Sequence, residues 1–125
     1  MKRLLAFTSA LEAATGFVLL VSPAIAVRLL FGADAEGMAT VTSRFAGVTL
    51  VALSVACWPS RDADSRDTHA LGGMLTYNAI VTTYLAYVAL AGRFVGPLLW
   101  PAVALHALLS ILLARSIKSE RTASA

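Results

Sequence analysis

Two residues of opposite charge, Glu12 and Arg44, stand within or beside stretches of the sequence that are otherwise apolar. A charged side chain at the centre of a membrane helix costs about 2.5 to 3.5 kcal/mol, so such a residue needs a partner or, for a carboxylate, a proton. A guanidinium and a carboxylate neutralise each other when they meet. We therefore predict that Glu12 and Arg44 form a pair, either directly or through intervening polar side chains.

Other polar residues fall at a comparable depth when the predicted helices are counted at about 1.5 Å of rise per residue. Together with the two charges they form the set of ligand-binding or proton-carrying candidates: Glu12, Arg44, Tyr77, Asn78, Tyr84 and His106. Three less specific readings stay open. The cluster could be a packing network that fixes helix register, Arg44 could extend to the outer headgroups, and Tyr84 could belong to an aromatic belt.

Several specific chemistries are absent from the sequence. Cys57 is the only cysteine, so an intramolecular disulfide and four-cysteine metal sites are excluded. Of the two histidines, only His106 falls in an apolar segment, which argues against a haem held by two intramembrane histidines. No nucleophile elbow or phosphate-binding loop is present. We expect no metal and no cofactor, and the sequence favours a non-enzymatic role without deciding the matter.

The composition indicates an integral membrane protein. Hydrophobic residues make up 58% of the 125 residues and charged residues only 14%, which is far from the profile of a soluble domain. Four membrane helices of about 20 residues would occupy most of this length. We predict a single all-α domain, an integral membrane four-helix bundle, with spans at 4–22, 39–58, 70–91 and 97–117.

The region after the first span predicts a short fifth helix. Ser22 and Pro23 suit the cap and the first position of a new helix, and Gly32 suits its end. An interfacial helix over 23–31 is therefore favoured over one long kinked helix. The second span is short of apolar residues, because 45–58 extends only about 21 Å. It must include Arg44, which places that residue about one turn inside the membrane.

The basic residues predict an orientation. Most of them fall near the two termini and in the 59–67 loop, and positively charged loops are retained in the cytoplasm. We expect a multi-pass protein of a bacterial-type cytoplasmic (inner) membrane with both termini in the cytoplasm. Lys2, Arg3 and the segment Ser22–Ala26 also resemble a cleaved signal peptide, but Glu12 within the apolar stretch argues against cleavage.

Two family resemblances follow from these residues. The size, the four spans and Glu12 in the first helix look like the small multidrug resistance transporters, in which such a glutamate binds drug cations and protons; Arg44 and the charged middle loop depart from that pattern. The series Glu12, Gly16, Pro23 and 30–32, followed by 44–47, is similar to small uncharacterised bacterial four-helix membrane proteins of DoxX-like build. That second resemblance implies a fold and no residue roles.

The sequence leaves three functional hypotheses. The first is that the polar residues bind a small hydrophobic or amphipathic ligand such as a quinone, a lipid or an organic cation. The second is an accessory or scaffold subunit of a membrane complex, in which the same residues only hold the helices together. The third is a proton-coupled exporter. Expected partners are membrane lipids, a small hydrophobic ligand, and further copies of the chain or a larger complex, but no nucleic acid.

Overall fold

The computed structural model describes residues 2–59 and 65–123, and all regular structure in these two ranges is helical. Four of the helices are long and apolar enough to cross a membrane. The all-helical fold with four helices of spanning length is therefore confirmed, while insertion itself stays a prediction. The five helices are α1 (Lys2–Val21), α2 (Pro23–Phe31), α3 (Met38–Ala56), α4 (Ser65–Ala91) and α5 (Leu99–Ala123).

The chain breaks between α1 and α2, as the Ser22 and Pro23 pair predicted. Pro23 occupies the start of α2, where its missing N–H is not needed. Ser22 has the cap position, but its side chain makes no capping hydrogen bond; its backbone carbonyl accepts from Ile25 instead, at 3.1 Å. Gly32 ends α2 with φ 65°, a left-handed conformation that glycine adopts at little cost.

The bundle is built from two helix pairs, with α1 packed chiefly on α3 and α4 packed chiefly on α5. The first pair is closest at Gly16 and Gly47. A Cβ atom added to Gly16 would lie 2.8 Å from the Gly47 carbonyl oxygen, and one added to Gly47 would lie 2.6 Å from that of Gly16. Backbone meets backbone here, which only small residues at a helix interface allow.

The helix α2 is fixed by the loop that leads into α5. The carbonyl oxygens of Leu29 and Leu30 at its C-terminus accept hydrogen bonds from the N–H groups of Leu98 (2.9 Å) and Gly96 (3.0 Å). These carbonyls have no partner within a helix, so the loop supplies what α2 lacks. The regular helix α5 begins at Leu99, two residues later than expected, and the N–H of Ala102 donates to the Leu98 carbonyl oxygen at 2.9 Å.

The two ends of the bundle differ in the segments that they hold. We call the end that holds α2 and the 92–98 loop the hairpin end, and the end that holds both chain termini the terminal end. At the terminal end, α4 and α5 continue beyond the predicted spans, from Ser65 instead of 70 and to Ala123 instead of 117. The apolar pattern predicts which part of a helix can lie in the hydrocarbon of a membrane. The helix itself can continue into the polar residues beyond that part.

Two apolar clusters fill the interior. The terminal-end cluster joins all four long helices, and the hairpin-end cluster joins α4, α5 and Phe31 of α2. Between them, at the middle of α4 and α5, come Tyr77, Asn78 and His106. The polar candidates thus lie in a layer between two apolar ones. The buried members are Leu5, Cys57, Leu71, Met74 and Leu113 in the first cluster and Leu85, Ala89 and Leu99 in the second.

Candidate functional site

Glu12 lies on the face of α1 that the bundle buries. The buried residues of α1 recur every three or four positions, from Leu5 through Thr8, Ser9 and Glu12 to Gly16, which is the spacing of one helix face. Glu12 is only 1% exposed. Since Gly16 is pressed against α3, the rotation of α1 about its axis is fixed one turn away, and the Glu12 carboxyl group is directed inward.

The carboxyl group of Glu12 meets side chains from the other helix pair. The Tyr77 hydroxyl on α4 donates a hydrogen bond to Glu12 Oε2 at 3.1 Å. On α5, Nε2 of His106 lies 3.6 Å from Glu12 Oε1. The rings of Tyr77 and His106 meet edge to face, with centroids 6.3 Å apart. One residue from each of α1, α4 and α5 therefore converges where the two helix pairs meet.

His106 is also held by its own helix. Its Nδ1 atom lies 2.8 Å from the carbonyl oxygen of Ala102, one turn earlier on α5. A carbonyl oxygen only accepts, so the hydrogen of this contact is on Nδ1. The ring is thereby oriented with Nε2 towards Glu12. The arrangement resembles the way a second contact fixes the tautomer of a functional histidine.

Asn78 is fully buried beside Tyr77 on α4. Its amide nitrogen donates to the carbonyl oxygen of Met74 at 2.9 Å. Within the described part of the chain, its Oδ1 atom has no hydrogen-bond partner, and the same is true of Glu12 Oε1. Both atoms are buried acceptors, and most such groups in folded proteins find a donor. We refer to Glu12, Tyr77, Asn78 and His106 together as the polar cluster.

The other two candidates lie outside the polar cluster. Arg44 is exposed on α3, and the nitrogen that lies near Glu12 Oε1 in the structure is Nε2 of His106, at 3.6 Å. The predicted pairing of Glu12 with Arg44 is therefore wrong. Gly47 packs against Gly16 and Leu20 of α1, so Arg44, one turn nearer the hairpin end of α3, lies about two turns from the level of Glu12. Tyr84 lines an open groove on the outer surface of α4 with Ile80 and Tyr87.

One buried contact between α1 and α4, at the terminal end of the bundle, was not predicted from the sequence. Asp67, expected only as a possible cap for α4, is 1% exposed, and its Oδ2 atom lies 3.9 Å from Nζ of Lys2 on α1. This contact joins α1 to α4 at the terminal end, as Tyr77 joins them at mid-height. No local signal predicts it, because the two residues are brought together only by the packing of distant segments.

Among the described residues, no group of three histidine, cysteine, aspartate or glutamate side chains is close enough to hold a metal ion. What the polar cluster offers is hydrogen bonding and proton exchange: a phenol, a carboxyl group, an imidazole and an amide in an apolar layer. Comparisons with protein-family models, with curated proteins and with solved structures find no match for this chain.

Proposed function

We propose that this chain is a small multi-pass membrane protein whose polar cluster binds a small hydrophobic or amphipathic ligand. The observation that carries the proposal is a buried acceptor without a hydrogen-bond partner among the described residues, Asn78 Oδ1. Leaving a buried acceptor unpaired costs about 1 to 3 kcal/mol. Such a cost is typical of positions that serve binding at the expense of stability.

The unpaired Asn78 Oδ1 atom narrows the chemical class of the ligand. It is an acceptor, so a matching ligand presents a hydrogen-bond donor, such as a hydroxyl or an N–H group. A quinone carries only acceptor oxygens and would have to rely on Tyr77 or a protonated His106, whereas a quinol or a lipid hydroxyl supplies the donor itself. The apolar clusters on either side favour a ligand whose remaining surface is hydrocarbon.

The competing function is that of a scaffold or accessory subunit. It is favoured by the bonds that already cross the bundle: Tyr77 to Glu12, and the Ser9 hydroxyl on α1 to the carbonyl oxygen of Cys57 at the end of α3, at 3.2 Å. In that case the polar cluster determines how the helices pack against each other. A scaffold function does not account for the unpaired Asn78 Oδ1 atom, so we prefer ligand binding.

Replacement of Asn78 by leucine separates the two functions. We expect a small molecule to be extracted by organic solvent from purified wild-type protein and detected by mass spectrometry. Its amount should fall at least tenfold in Asn78→Leu. The variant should remain as stable as the wild type or become more stable, since an unpaired buried acceptor is removed. The matched control is Thr76→Val, because Thr76 is exposed on the same helix and its hydroxyl donates to the Gly72 carbonyl oxygen of that helix.

The opposite result supports the scaffold. If wild-type protein carries no small molecule and Asn78→Leu lowers the free energy of unfolding, the amide is part of the packing and the binding proposal is overturned. Loss of the molecule from Thr76→Val to the same extent would also contradict a site at the polar cluster.

We also propose that the terminal end faces the cytoplasm of a bacterial-type membrane. Lys2, Arg3, Arg115 and Lys118 lie near this end, where positive charge is retained on the cytoplasmic side. At the hairpin end, Arg28 is paired with Asp34 at 2.7 Å, which leaves less net positive charge there.

A further inference from the structure

The contacts of the His106 ring determine where its hydrogens are. Nδ1 donates to the Ala102 carbonyl oxygen, so in a neutral ring the second nitrogen, Nε2, carries a lone pair and no hydrogen. That lone pair faces Oε1 of Glu12 across 3.6 Å. Glu12 Oε1 has no hydrogen-bond donor among the described residues. Two acceptors therefore oppose each other in a buried, apolar layer.

One added proton allows a hydrogen bond between Glu12 Oε1 and His106 Nε2. A protonated Glu12 can donate to Nε2, or a protonated His106 can donate to the carboxylate. Both arrangements contain the same number of hydrogens, and in both the pair has no net charge. The distance of 3.6 Å is longer than a direct N–H···O hydrogen bond, so a small side-chain rotation or one bridging water completes the contact. Without the proton, the buried carboxylate has Tyr77 as its one hydrogen-bond donor among the described residues.

We propose that Glu12 and His106 together hold one exchangeable proton and form a proton-binding site between the two helix pairs. The Tyr77 hydroxyl accompanies this site as the donor to Glu12 Oε2 and keeps the carboxyl group in place in either arrangement. The inference goes beyond ligand binding and does not require it, since it follows from the hydrogens that the contacts of His106 allow.

Among the described residues, the other titratable groups lie away from the contact between Glu12 and His106. The buried residues of α3 are Gly47, Leu50 and Ser54, none of which titrates, and Arg44 is exposed. The other titratable groups described on the adjoining helices are exposed or lie at the two ends. Tyr84 and Tyr87 are exposed on the outer surface of α4, and Arg28 and Asp34 form an exposed pair at the hairpin end. The groups at the terminal end are Lys2, Arg3, Cys57, Asp67, His69, Arg115 and Lys118.

The Glu12 and His106 pair carries a net charge if it holds two protons or none in addition to the hydrogen on Nδ1. Loss of the shared proton gives a net anion, and gain of another gives an imidazolium facing an uncharged acid. Either charge would be buried without a counter-ion, which is costly in an apolar layer. The one-proton state is therefore the state that the geometry of the polar cluster supports.

The test determines the proton positions directly. Protein labelled with ¹⁵N-histidine in lipid nanodiscs gives NMR signals from His69 and His106, which His69→Gln assigns. Infrared difference spectra between wild type and Glu12→Gln then report whether the Glu12 carboxyl group is protonated. We expect Nδ1 of His106 to carry hydrogen, with one further proton on either Nε2 or Glu12.

Three outcomes overturn the proposal: a neutral His106 beside an ionised Glu12, a charged His106 beside a protonated Glu12, or a His106 whose Nδ1 carries no hydrogen. Glu12→Gln is the matched variant, since its amide can donate to Nε2 without a titrating proton. Even if this variant does not fold, the His106 signals of the wild-type protein decide the tautomer. These readouts do not depend on whether a ligand co-purifies, so failure here is distinct from failure of ligand binding.

Discussion

Tyr77 and Asn78 are neighbours on α4 and have opposite roles in the polar cluster. Tyr77 supplies a hydrogen to Glu12 Oε2, whereas Asn78 presents an acceptor oxygen that has no partner among the described residues. The first satisfies a buried group and the second leaves one unsatisfied. Stability and binding are therefore expected to respond differently to substitution at these two adjacent positions.

Removal of the Tyr77 hydroxyl should destabilise the bundle. In Tyr77→Phe, Glu12 Oε2 loses its donor in a buried site, and we expect the free energy of unfolding to fall by about 1 to 3 kcal/mol. Unfolding in mixed micelles, followed by circular dichroism, measures this. The control is Tyr84→Phe on the same helix, whose side chain is 60% exposed and whose replacement should change stability by less than about 0.5 kcal/mol. Equal effects of the two variants would contradict a role for the Glu12 contact.

The polar cluster was predictable in depth but not in pairing. Counting helical rise put Glu12, Asn78 and His106 into one central layer, and the structure places them between the same two apolar clusters. The partner of Glu12 was wrong because the sequence does not give the level at which α1 and α3 pack against each other. Gly47 packs against Gly16 and Leu20, so Arg44, one turn nearer the hairpin end, lies about two turns from the level of Glu12, and its side chain is exposed.

At the level of helices, the contact between α1 and α3 determines the geometry of the site. Gly16 is one turn beyond Glu12 on the buried face of α1, and its backbone touches Gly47. The start and end of α2 followed from Pro23 and Gly32, whereas α4 and α5 extend beyond the spans that the apolar pattern predicted. Which helices pair did not follow, because the same pattern allows several arrangements of four apolar helices, and close packing between particular glycines selects one.

A methyl group at Gly16 should separate these helices. The added Cβ in Gly16→Ala would lie 2.8 Å from the Gly47 carbonyl oxygen, and the backbone cannot yield without moving a helix. We expect a loss of about 1 to 3 kcal/mol in the free energy of unfolding. The control is Gly72→Ala within α4, where nothing lies within 4 Å of the added atom and helix propensity favours alanine by up to about 1 kcal/mol. If both variants were equally stable, the proposed close contact would be incorrect.

On the scale of the whole molecule, the polar cluster joins two helix pairs that otherwise share few contacts. Glu12 comes from the α1 and α3 pair, and Tyr77 and His106 come from the α4 and α5 pair. If a ligand or a proton binds at this junction, as we propose, it contacts both pairs. Glu12, Tyr77 and His106 lie within helices that are long and apolar enough to cross a membrane, so the orientation of the bundle is the next property to test.

The orientation can be tested with single cysteines because the natural cysteine reacts slowly. Burial raises the pKa of the Cys57 thiol, so at a given pH less of the reactive thiolate is present than in a free cysteine. Maleimide labelling of Cys57 should be slow near neutral pH and should accelerate over a higher pH range than labelling of an exposed cysteine. Trp58→Cys combined with Cys57→Ser is the comparison, because Trp58 is 56% exposed; equally fast labelling of both would contradict the burial of Cys57.

Single cysteines introduced into the Cys57→Ser protein then show on which side of the membrane each position lies. Arg93→Cys lies in the exposed loop at the hairpin end and Trp58→Cys lies near the terminal end. With a membrane-impermeant maleimide, we expect Arg93→Cys to be labelled in right-side-out spheroplasts and Trp58→Cys only in inverted vesicles, because positive charge keeps the terminal end in the cytoplasm. The reverse pattern would invert the proposed topology. Labelling of both positions from one side would show that α4, the helix between them, does not cross the membrane, and would remove the basis for placing Glu12 and His106 within the membrane.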